Sequence, residues 1–72
     1  MWENRITLDF VKHEAARKKI KEILDQQKLT DNDISELSIF TDGGYVGYKV
    51  ILSNKSFFTI FDDGTIWEKK FI

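Results

Sequence analysis

Near residue 30 the chain changes its hydrophobic period, and that change limits the fold more than any other feature. Ahead of it, apolar residues recur at Leu8, Val11, Ala15, Ile20, Ile23 and Leu24, with Ala16 helping to fill the stripe. Steps of three, four and five belong to a helix that buries one stripe. The spacing predicts a helix from about Leu8 to Lys28. Thr7 is its expected N-cap, and Asp9 suits the positive end of the helix dipole. Glu14–Lys18, Lys18–Glu22 and Lys21–Asp25 stand four apart, where opposite charges support a helix.

Beyond residue 30 the pattern is strand and turn. Leu29-Thr30-Asp31-Asn32-Asp33 is turn chemistry, since Asx and Thr side chains bond nearby backbone amides. Ile34 is expected to anchor this loop to the core. Strands are predicted at about Glu36–Thr41, Tyr45–Leu52, Ser56–Phe61 and Thr65–Phe71. Asp42-Gly43-Gly44, Ser53-Asn54-Lys55 and Asp62-Asp63-Gly64 separate them. The first and last read as tight hairpin turns, the last as type I′. Such short connections give an antiparallel meander in sequence order. The expected fold is α+β, one N-terminal helix packed on a four-stranded antiparallel β-meander, in a single domain spanning residues 1–72.

Composition closes several functional classes. There is no Cys, which excludes a disulfide framework and thiolate metal sites. No apolar run reaches the length of a signal peptide or a membrane span. These features point to the cytoplasm, or to export if a leader has been removed. Net charge is -1, so no overall field draws the protein to nucleic acid or membrane. His13 is the one histidine, set among helix charges and read as a solvated helix residue. One His and no Cys cannot build a Ser-His-Asp or Cys-His set, and the chain is expected not to be an enzyme and to need no cofactor or metal. Asp62-Asp63 reads as hairpin chemistry. Asp31-Asn32-Asp33 lacks the Gly and Glu of a calcium loop. Gly43-Gly44 lacks the Lys-Ser/Thr of a phosphate loop. Lys12, Arg17, Lys18, Lys19 and Lys21 read as a solvated helix surface. Gly47 falls inside a strand and marks a bulge, a close backbone approach or space for a large side chain.

The helix Ala15–Gln27, the loop Leu29 to Ile34, the strand Tyr48-Lys49-Val50 and the turn Phe61-Asp62-Asp63-Gly64-Thr65-Ile66 together resemble the PepSY family of small domains. The likeness runs from Glu14 to Phe71. Its elements describe how a sheet is built, and Asp62 to Gly64 is one residue shorter than the family hairpin. The resemblance implies a non-enzymatic regulatory or inhibitory binding module.

One misfit remains. Alternation in a half-buried sheet puts apolar residues on one face. Leu37, Ile39, Val46, Tyr48, Val50, Leu52, Phe58, Ile60 and Ile66 form the expected helix-facing layer. The complementary set is also apolar: Phe40, Tyr45, Ile51, Phe57, Phe61, Trp67 and Phe71, interleaved with Ser38, Gly47, Lys49, Thr59 and Lys69. A single helix covers one face. The second is expected to meet a protein partner or a second copy of the chain, with Phe40, Tyr45, Phe57, Phe61, Trp67 and Phe71 as contact residues. The alternatives are coverage by Met1, Trp2 and Ile6, or stacking of single-stranded nucleic acid with Lys49, Lys55, Lys69 and Lys70.

Overall fold

The computed structural model describes residues 2–5 and 8–72. In chain order these form strand β1 (Trp2–Arg5), a 3-10 turn (Leu8–Phe10), helix α1 (Glu14–Gln26), a second 3-10 turn (Asp31–Asp33), then β2 (Ile34–Asp42), β3 (Tyr45–Leu52), β4 (Phe57–Phe61) and β5 (Ile66–Lys70). The sheet order is β1-β2-β3-β4-β5, with every pair antiparallel. The α+β class and the meander are as expected. The addition is β1, a fifth strand that precedes the helix and pairs with β2 through Trp2–Phe40 and Arg5–Ser38. Its backbone therefore extends the sheet edge. The expected cap Thr7, with Met1 and Ile6, lies outside the described residues.

The helix starts at Glu14, not at Leu8. His13 keeps an extended backbone at the N-cap, with φ -83 and ψ 108. Leu8 and Val11 still reach the core, but from a 3-10 turn and a short link. Three-residue spacing does not distinguish that path from a helical turn. Within α1, Ala16, Ile20, Ile23 and Leu24 are buried. Of Ala15 and Ala16, both expected in the stripe, Ala16 is the buried one and Ala15 is exposed. At the far end, Lys28 takes a left-handed φ of 59. Leu29 N–H then donates to Leu24 O and Lys28 N–H to Asp25 O. That pair of bonds is a Schellman motif, which satisfies the last helical carbonyls.

The helix stripe meets one face of the sheet. Leu37, Tyr48, Val50, Leu52, Phe58 and Ile60 are buried against it, and Ile39, Val46 and Ile66 pack around them. All nine residues of the expected helix-facing layer are there. Each fully buried Leu, Ile, Val or Phe stabilises by about 1.5–3 kcal/mol, so this single layer carries the domain.

The turns follow their glycines. Gly43 and Gly44 have φ 53 and 91, the two positive values a two-residue hairpin uses. The β4–β5 turn differs from expectation. Only Gly64, at φ 89, is left-handed there. Phe61 N–H donates to Thr65 O and Gly64 N–H to Phe61 O. The loop therefore has three residues and ends on a left-handed glycine, a type I turn with a bulge. A Cβ on Gly64 would lie 3.2 Å from the Ala15 carbonyl oxygen, so this turn also seats the start of α1.

Candidate interaction face

The face turned away from the helix is set by the strand registers. Phe40 in β2 pairs with Gly47 in β3, which pairs with Phe61 in β4. One step along, Ser38, Lys49 and Thr59 align in the same way, and beyond them Ile51 pairs with Phe57. Tyr45 opens β3 on the same side. Phe40, Phe57 and Phe61 are half-buried. Tyr45 and Trp67 are 68% and 55% exposed. Five of the six expected contact residues thus share this face.

Phe71 does not. It packs on the core side, its ring 6.3 Å from that of Phe58. The cause is a bulge in β5. Thr59 pairs with Glu68 and Ile60 with Ile66, so Trp67 is an extra residue opposite no partner. A bulge of this kind sets two consecutive residues against one and reverses the alternation from Glu68 onward. Lys69 then pairs with Phe58 on the core side, and Lys70 with Phe57 on the open side. Glu68 takes the place on the open face expected for Lys69. Ser56 fixes the chain beyond the bulge: its buried hydroxyl accepts the Ile72 N–H at 3.0 Å.

The bulge also aims Trp67 at its neighbour. Its ring stacks on Phe61 at 5.4 Å and 18°. Tyr45 lies 6.2 Å from Phe61, tilted by 52°. Phe40, Tyr45, Phe61 and Trp67 line a hollow of about 190 Å³. Gly47 lies between Phe40 and Phe61 in the register. Its φ is not positive, and an added Cβ would meet Ile60 O and Thr59 Cγ2 only at 4.0 Å. Neither the backbone nor local crowding demands glycine there, and a side chain at this position would project from the open face between Phe40 and Phe61. At the other end of the face, Lys49 Nζ sits 5.2 Å above the Phe57 ring. Between the two, the Thr59 hydroxyl bonds the Glu68 carboxylate at 3.4 Å.

On the helix side, His13 is not a solvated helix residue. It stands at the junction before α1, half-buried, with Nδ1 2.7 Å from the hydroxyl of the buried Tyr48. The two rings meet edge to face at 6.0 Å. Burial pushes the Tyr48 phenol above its ordinary value, and the Asp62 carboxylate adds to the rise. The Lys12 and His13 amides pull the other way. At the adjacent turn, hydrogen bonds from the Thr65 side chain and amide hold the Asp63 carboxyl below its ordinary value. The helix start hid the His13 contact, because a helical residue at that position would point elsewhere.

Among the described residues no group of three or more His, Asp or Glu could hold a metal ion, and no helix is long and apolar enough to cross a membrane. The basic helix carries an ion pair from Lys19 to Glu22 at 3.4 Å. Comparison with protein-family models, curated proteins and solved structures finds no match.

Proposed function

We propose that this chain is a non-enzymatic protein-binding module of the regulatory or inhibitory kind. Its contact surface is the aromatic sheet face centred on Phe40, Tyr45, Phe61 and Trp67, with Phe57 at its far end. The observation that carries this reading is the exposure of Tyr45 and Trp67 beside the half-buried Phe61, in one contiguous patch. Folded monomers seldom leave large contiguous apolar patches in water. Trp and Tyr are also the residues most enriched where binding energy concentrates. The resemblance to PepSY domains points the same way. Single-stranded nucleic acid fits the face less well, since the bulge adds the Glu68 carboxylate to the open side while only exchanging Lys69 for Lys70 there.

The test is a double substitution, Phe61→Ser with Trp67→Ser, used as the control for the intact chain in affinity capture and in light scattering across a concentration series. Loss of the captured protein with an unchanged helical circular dichroism signal supports the reading. Capture that survives the double substitution refutes it. A wild-type mass of twice 8.5 kDa that falls to the monomer in the variant makes the partner a second copy.

A further inference from the structure

We infer that the hollow between Phe40, Tyr45, Phe61 and Trp67 takes a cation: the ammonium or guanidinium head group of a Lys or Arg side chain on the partner protein. The inference rests on the binding reading above and names what the partner must present. Three independent observations support it.

The first is size. A water occupies about 30 Å³ of liquid, and small-molecule pockets run to about 300–1,000 Å³. A hollow of about 190 Å³ is too small for a cofactor and suits one side-chain head group. The second is lining. Four aromatic side chains line it, and a ring face attracts a cation through its quadrupole, Trp most strongly. The same face already does this once, with the Lys49 ammonium over Phe57. The third is charge. The segments that supply the lining and its two hairpin turns are residues 40–48 and 57–68. They carry Asp42, Asp62, Asp63 and Glu68 and no Lys or Arg, while Lys49 and Lys70 stand at the far end of the open face, about Phe57. Glu68 directly follows Trp67 on the open side, so its charge lies within a screening length of the hollow. An anion or a neutral apolar group would gain nothing from that field, whereas a cation gains from both the rings and the carboxylate.

The probes are choline, methylguanidinium and 3,3-dimethylbutan-1-ol, the neutral carbon isostere of choline. Each is titrated into the isotopically labelled intact chain, and the amide shift of Gly47 and the indole shift of Trp67 are followed. The expected result is saturable shifts with both cations at millimolar concentration and at least ~10-fold weaker binding of the alcohol. Gly47→Val places a side chain suited to a strand between Phe40 and Phe61 and should abolish the shifts. Trp67→Leu keeps apolar bulk while removing the best ring, and provides the second control if the first variant loses its dispersed spectrum. Equal binding of the alcohol overturns the inference, as does the absence of shifts with either cation. Either of those outcomes leaves the contact face standing if the Phe61 and Trp67 serine variant still loses its partner. Cation binding without loss of the partner in that variant refutes the contact face instead.

Discussion

The two faces of this sheet have almost the same hydrophobic content and opposite fates. On the helix side, Leu37, Tyr48, Val50, Leu52, Phe58 and Ile60 interlock with the α1 stripe and are nearly inaccessible to solvent. On the open side, Phe40, Ile51, Phe57 and Phe61 are half-buried and Tyr45 and Trp67 exposed. Hydrophobicity therefore does not decide which face is core. The element that covers a face decides it, and the described residues supply one helix.

Adjacent residues of β4 give the sharpest test. Phe58→Ala, on the helix side, should cost about 3–5 kcal/mol, most of the stability of a domain this small. Phe57→Ala, its neighbour on the open side, should cost well under half of that. Urea unfolding of the two variants checks it, and equal losses would dissolve the distinction between the faces.

Two glycines make a second contrast, with opposite signs. Gly64→Ala must hold a left-handed φ and crowd the Ala15 carbonyl at 3.2 Å, so a loss of at least ~1–2 kcal/mol is expected. Gly47→Ala, with an ordinary φ and room for its Cβ, should gain about 0.5–1 kcal/mol by restricting the unfolded chain. Thermal unfolding of both variants reads the difference directly.

The smallest effect concerns pH. Tyr48 keeps its phenolic proton more tightly in the folded chain than in the unfolded one. Its contribution is complete below about pH 10, the unfolded phenol value. Stability should fall as pH rises from there toward the raised folded value. A denaturant midpoint series across alkaline pH should show this decline in the native chain and a weaker one in Tyr48→Phe. An identical decline in both would remove Tyr48 as its source.

Much of this was legible in the sequence, for physical reasons. A strand buried on one face repeats every two residues, so all nine members of the helix-facing layer could be read from alternation between the turn segments. The same logic found Phe40, Tyr45, Phe57, Phe61 and Trp67. It failed at Phe71, because Ile66-Trp67-Glu68 reads as ordinary alternation, while the bulge is set by which β4 residues find partners. It failed again at β1, whose four residues are too few to show a period. The helix start was hidden because Leu8 and Val11 keep helical spacing while lying in a 3-10 turn and its link. Gly47 stood out in the sequence, but its meaning depends on Phe40 and Phe61 arriving on either side from other strands.

The position of β1 bears on how the chain folds. The pairings from β2 to β5 each close through a turn of a few residues, so they form with little loss of chain entropy. Pairing Arg5 with Ser38 must close a loop that contains the whole helix, and that cost rises with loop length. Contacts so distant along the chain slow folding. The meander therefore makes the natural nucleus, and β1 and α1, whose contacts with it span comparable lengths of chain, are expected to join it later.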